Sequence, residues 1–136
     1  MKFEKIPAGL FIFLGGGTGA SVRWLLTLFI PFSSLIVTCG INIFGAFCLG
    51  LLLAFLADCD SDSGSHKALR LALGTGFMGG FTTYSAFAVQ SASLIHENPL
   101  EFFVYLSTTL ILGLLACFVG NLLGAKLVHK QVGESS

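Results

Sequence analysis

Four stretches of this chain, residues 8–30, 33–57, 71–95 and 102–125, are each long and apolar enough to cross a lipid bilayer as a helix. Crossing the hydrocarbon takes about 20 apolar residues. The first stretch holds one charge, Arg23, and the other three hold none. Together they occupy most of the 136 residues and leave no room for a separate soluble domain. The expected fold is an all-α integral membrane protein, a single membrane domain of four transmembrane helices. Composition agrees, since only 10% of residues are charged against roughly 25% in soluble domains. A soluble core of this size could not bury the 54% of residues that are apolar.

The connections are short, and the second is polar. Pro31 marks the first, residues 58–66 (Asp58 to His66) form the second, and His96-Glu97-Asn98-Pro99 forms the third. Asn98 is placed to cap a helix that Pro99 begins. With four crossings, the N-terminus, the second connection and the C-terminus share one side. That side carries Lys2, Lys5, Lys67, Arg70, Lys126 and Lys130, while the first and third connections carry no Lys or Arg. The bias places both termini in the cytoplasm of a cell (inner or plasma) membrane. Lys2 and Lys5 before an apolar run have the look of a secretory leader. The run is too long for one and contains Arg23, so it reads as a retained first span. Net charge is zero, so no bulk field draws nucleic acid.

Three local patterns suggest chemistry that their context does not support. Asp58, Asp60 and Asp62 resemble the start of a calcium loop, but Ser63 and Leu69 stand where its glycine and final glutamate belong. Gly15-Gly16-Gly17-Thr18-Gly19-Ala20 fits a dinucleotide fingerprint but lies inside a span, where small residues serve close helix packing. Cys39, Cys48 and Cys117 sit in apolar runs and only Cys59 is in a polar one, which reads as packing residues plus one loop thiol.

The third stretch is the unusual one. It runs Gly74-Thr75-Gly76-Phe77-Met78-Gly79-Gly80-Phe81-Thr82-Thr83-Tyr84-Ser85, with a glycine pair before Phe-Thr-Thr. Such residues form helices poorly. Two readings stand here, a helix broken at membrane depth and an unbroken, tightly packed glycine-rich one. A break is tolerated only where the backbone lines a cavity or is buried in protein. Its freed carbonyls can bind a cation and its half-helix N-terminus can face an anion. Tyr84 and Phe87, three apart, share a helical face. They are either apolar surface or ring edges, whose positive rims can partner a desolvated anion. Asn42 lies midway along the second stretch with Thr38 one turn before it, and an amide there needs a partner or water. Tyr105 and Thr109 share a face in the fourth. Arg23 is either a snorkelling interfacial residue or a functional cation.

These residues together resemble the CrcB-like, or Fluc-type, fluoride channels. Gly16-Gly17-Thr18-Gly19-Ala20-Ser21-Val22-Arg23-Trp24 is similar to that family's first-span motif, and Asn42-Ile43-Phe44-Gly45 to its second-span asparagine motif. Gly76 through Phe87 is similar to its third-span signature, the most specific of the three. The resemblance covers essentially the whole chain. It implies passive, fluoride-selective conduction out of the cytoplasm, in a dimer of antiparallel subunits with the pores at their interface. It implies a pathway at Asn42, Tyr84, Ser85, Phe87, Tyr105 and Thr109, with Arg23, Thr38 and Gln90 as structural polar residues. It also implies a structural sodium ion at the dimer centre, held by backbone carbonyls of Gly79 and Thr82 at the broken third helix.

The sequence departs from the family pattern in places. Tyr84 stands at a usual phenylalanine, Ala86 and Gly113 at usual hydroxyl residues, and Gln90 where an acid is common. A homodimer of opposed subunits needs one sequence to insert both ways, and the strong Lys/Arg bias disfavours that. The family includes subunits of fixed, opposite orientation that pair as paralogous heterodimers, sometimes with one pore degenerate, and this chain is expected to be such a subunit. Two alternatives are a non-conducting structural subunit and a small four-helix multidrug-type exporter. The exporter needs a membrane-embedded carboxylate, and no stretch here contains Asp or Glu. No nucleophile–base pair or metal-ligand cluster suggests an enzyme.

Overall fold

The computed structural model describes residues 7–57 and 64–134. Lys2, Lys5, Cys59 and the three aspartates at 58, 60 and 62 lie outside them, so the calcium-loop comparison and part of the charge pattern have no structural counterpart. All regular structure among the described residues is helical. The elements are α1 (Ala8–Phe29), α2 (Ser34–Ala57), α3 (Gly64–Leu69) running into a π-helical stretch (Arg70–Met78), α4 (Gly79–Phe81), α5 (Tyr84–Glu97) and α6 (Pro99–Glu134).

The helix ends follow local chemistry. α1 closes with the Ile30 N–H donating to the Leu26 carbonyl at 3.0 Å, just before Pro31 stops the helix. At the head of α6, Asn98 Oδ1 accepts the Glu101 N–H at 3.3 Å and Pro99 takes the first helical position.

Among the described residues, three helices are long and apolar enough to cross a membrane: α1, α2 and the Pro99–His129 part of α6. The stretch 71–95 is divided among shorter pieces, of which the longest, α5, has 14 residues. The helical path stops at Phe81, and Thr82 (φ −72°, ψ 158°) and Thr83 (φ −141°, ψ 111°) are both extended before it resumes at Tyr84.

Packing is by backbone approach, and no glycine in the described residues has a positive φ. A Cβ at Gly19 would run into the Phe77 carbonyl oxygen, and one at Gly80 into that of Gly16. α1 therefore lies directly on the π-helical stretch and α4. α2 and α6 are joined the same way, since a Cβ at Gly50 would meet the Cys117 carbonyl and one at Gly120 that of Phe47. This is the small-residue packing that membrane helices use when apolar side chains gain nothing from meeting each other.

Few side chains among the described residues are buried, and many large apolar ones are exposed, as with Phe13 and Leu114. Two small clusters form the interior. Val37, Ile41 and Phe81 make one, and Phe87, Leu94 and Tyr105 make the other. The interrupted segment lies between them.

Candidate functional site

The centre of the site is a cross-helix amide contact. Asn42 Nδ2 donates to the Thr83 carbonyl at 3.1 Å, and Asn42 Oδ1 accepts the Thr83 N–H at 2.8 Å. In a continuous α-helix that N–H would donate to the carbonyl four residues back, on Gly79. Asn42 diverts it, so Gly79 loses that donor. Thr82 stays tied to the preceding turn, its N–H and its hydroxyl both donating to the Met78 carbonyl, at 3.0 and 2.8 Å. Thr83 then starts the next helix, its hydroxyl accepting the Ala86 N–H at 3.2 Å. Close approach completes the contact, because a Cβ at Gly45, one turn from Asn42, would strike the Thr82 methyl.

An open recess of about 400 Å³ lies against this contact, lined by Asn42, Thr82, Thr83, Tyr84, Phe87 and Thr109, with Leu110, Gly113 and Leu114 on its α6 side. The Tyr84 and Phe87 ring centroids are 6.2 Å apart. Tyr84 is 81% exposed, while Phe87 is buried. Phe87 also packs on Tyr105, centroid to centroid 5.4 Å.

The donors here are unevenly committed. An Asn side chain has two amide hydrogens, and Thr83 takes one. Thr109 donates its hydroxyl to Cys39 Sγ at 3.4 Å, and sulfur is a weak acceptor. The Tyr105 hydroxyl donates to Gln90 Oε1 at 2.7 Å, and Gln90 Nε2 donates onward to Thr38 Oγ1 at 3.1 Å. That chain joins α6, α5 and α2 through one side chain.

The expected site residues fall into three groups. Asn42, Tyr84, Phe87, Thr109 and Thr82 meet at the recess. Tyr105, Gln90 and Thr38 form the buried chain behind Phe87 and do not line it. Ser85 is exposed and pairs with the Thr83 hydroxyl at 3.3 Å. Gly79 is exposed, with nothing within 4 Å of where a Cβ would stand. Arg23 lines a different recess, of about 210 Å³, that shares Thr83 with the first. Two partners escaped the sequence: Thr83 as the group that satisfies Asn42, and Cys39 as the acceptor for Thr109. Only the cost of an unpaired amide pointed toward the first, and nothing pointed to the second. Among the described residues no cluster of His, Cys, Asp or Glu could hold a metal.

Comparison with known proteins identifies the family. The family described as CrcB-like protein, Camphor Resistance (CrcB), matches residues 10–121. A protein named fluoride-specific ion channel FluC 2, from Leifsonia xyli subsp. xyli, is 43% identical over 119 residues, which is 85% of this chain and 82% of that protein. One named fluoride-specific ion channel FluC 1, from Ligilactobacillus salivarius, is 39% identical over 115 residues, covering 82% and 94% of the two chains. Another FluC 1, from Staphylococcus aureus strain NCTC 8325, is 34% identical over 124 residues, covering 87% and 97%. The match runs from early in α1 to the middle of α6, across every residue of the recess, and this chain belongs to the CrcB-like family.

Proposed function

We propose that this chain is one subunit of a fluoride-specific ion channel, a multi-pass membrane protein that passes the ion down its gradient, and is not an enzyme. The observation that carries the reading is the recess that gathers Asn42, Tyr84, Phe87 and Thr109 beside the interrupted segment. Family membership and the names of three relatives point to the same ion.

Fluoride is small and strongly hydrated, so removing its water is costly unless donors replace it. The recess offers the spare Asn42 amide hydrogen, the loosely held Thr109 hydroxyl and the positive rims of the Tyr84 and Phe87 rings. None carries a full charge. Weak successive contacts let the ion in without trapping it. Tyr105 and Ser85 extend the pathway on either side of Phe87.

The third crossing is made by two helical segments joined at Thr82 and Thr83, giving four crossings with both termini cytoplasmic. The recess is open on one side and Tyr84 is exposed, which suits closure by a second subunit in the opposite orientation. The carbonyls of Gly79 and Thr82 fit a structural Na+ ion. Gly79 has lost its helical donor to Asn42 and faces open space, and a freed carbonyl is a ligand a hard monovalent cation accepts. A bound cation there would supply an anchor shared by two subunits.

The strong Lys/Arg bias supports a second reading, in which the partner is a paralogue of fixed opposite orientation and this chain's own pore is partly degenerate. Tyr84, Ala86, Gln90 and Gly113 sit where that degeneracy would lie, and relatives numbered FluC 1 and FluC 2 fit paired paralogues. Fluoride-electrode efflux from liposomes tests both. The channel reading expects Asn42→Ala and Phe87→Ala to stop flux while assembly persists, and unchanged flux in both would reject it. Robust efflux from this chain alone, inserted in mixed orientations, would reject the obligate heterodimer.

A further inference from the structure

Four side-chain hydroxyls line the recess beside Asn42, those of Thr82, Thr83, Tyr84 and Thr109. Three of them have partners. Thr82 donates to the Met78 carbonyl at 2.8 Å, the Thr83 oxygen accepts the Ala86 N–H and pairs with Ser85, and Thr109 donates to Cys39 Sγ. The Tyr84 hydroxyl bonds to no other group among the described residues. A hydroxyl held away from water without a partner is costly. Tyr84 opens α5, 13 residues before that helix ends at Glu97, about 20 Å of helical rise. At that depth hydrocarbon offers no partner, so the hydroxyl has to meet water, an ion or another chain.

The α6 wall shows where a donor is wanting. Tyr105, Thr109 and Gly113 are spaced four apart and share one face of that helix. Tyr105 commits its hydroxyl to Gln90, behind the recess. Thr109 brings a hydroxyl to the recess wall, and one turn further Gly113 brings none, between Leu110 and Leu114. Nothing lies within 4 Å of where a Cβ on Gly113 would stand. That end of the recess is open and has no side-chain donor from α6.

We propose that the Tyr84 hydroxyl donates directly to the permeating fluoride, and serves the end of the recess that Gly113 leaves bare. The inference rests on the channel reading and deepens it, by making Tyr84 a residue that sets affinity for the ion. An O–H donor replaces a water of the ion's shell more fully than the weakly positive rim of a ring does. Phe87, which has no hydroxyl, acts through its rim alone. The departures from the family pattern at 84 and 113 then form one exchange, a hydroxyl moved from α6 to α5 that keeps a donor at the recess.

The assay is fluoride efflux against fluoride concentration, from liposomes carrying the conducting assembly, with assembly checked by gel filtration. Tyr84→Phe removes one oxygen that no described residue bonds, so assembly should be intact. The half-saturating concentration is expected to rise about tenfold, equivalent to about 1.4 kcal/mol of anion binding. Gly113→Ser added to Tyr84→Phe should recover most of that shift, because it sets a hydroxyl one turn beyond Thr109. Gly113→Ala added instead fills the space without a donor and should recover none.

An unchanged half-saturation in Tyr84→Phe overturns the proposal. So does equal rescue by serine and alanine, which would make filled space and not a donor the cause. A shift that serine leaves in place overturns the exchange with Gly113. Loss of assembly in Tyr84→Phe would assign the hydroxyl to a partner subunit and overturn its role toward the ion. Asn42→Ala keeps the two readings apart. If it conducts like the wild type, the channel reading fails. If it stops efflux while Tyr84→Phe changes nothing, only the role of the Tyr84 hydroxyl fails.

Discussion

Where α1 meets the π-helical stretch, and where α2 meets α6, backbone lies on backbone with almost no side chain between. Where α2 meets the head of α5, the link is a side-chain amide bonded to the Thr83 backbone, beside an open recess. The first kind of contact depends on missing atoms, since Gly19, Gly80, Gly50 and Gly120 each leave room for a neighbouring carbonyl. The second depends on atoms present, since Asn42 satisfies both polar groups of Thr83. One kind holds helices together, and the other shapes the space between them. Substitutions should therefore separate assembly from conduction.

The largest effect is expected from the glycine seams. Gly19→Val places branched carbons against the Phe77 carbonyl, which belongs to backbone and cannot swing aside. Overpacking costs about 1–3 kcal/mol where side chains can adjust, and here they cannot. Gly19→Val and Gly120→Val should lose most of their monodisperse protein in gel filtration. Gly113→Val is the control, because nothing lies within 4 Å of its Cβ position. Equal yields from all three would mean the seams do not hold the fold.

Next comes Asn42→Ala, which leaves both Thr83 backbone groups without their partner. Each unsatisfied buried group costs about 1–3 kcal/mol, and water in the neighbouring recess recovers part of it. The fold should survive with a lowered melting temperature, while fluoride efflux falls at least about tenfold, one decade per 1.4 kcal/mol. Efflux and assembly falling together would erase the distinction between the two kinds of contact.

The same division explains what could be read in the sequence. The apolar stretches and the glycine-rich segments were legible because membrane length and small residues leave strong local signals. The third stretch's glycines up to Gly80 pack against α1, and the extended residues come directly after, at Thr82 and Thr83. Asn42 was legible as an amide in need of a partner, but Thr83 was not, because it lies 41 positions away and answers with its backbone. The Thr38–Gln90–Tyr105 chain was hidden for the same reason, as its first link spans 52 positions. Arg23 could be read as a charge, but its surroundings come from three elements that only folding brings together.

A mixed contact lies between the two kinds, and it gives the smallest predicted effect. Tyr105 packs its ring on Phe87 and donates its hydroxyl to Gln90, so apolar and polar links meet in one residue. If Gln90 acts through Tyr105, removing either group should disturb Phe87 in the same way, and removing both should add little. Gln90→Ala and Tyr105→Phe are each expected to lower efflux a few-fold, with the double variant close to the worse single one. The coupling should be about 1 kcal/mol, the value of one good hydrogen bond. Gln90→Glu keeps an acceptor for Tyr105 and lets the Thr38 hydroxyl donate instead, so it should recover most of the flux that Gln90→Ala loses. Additive losses in the cycle would show that Gln90 and Tyr105 act separately, and would place Tyr105 with the apolar seams.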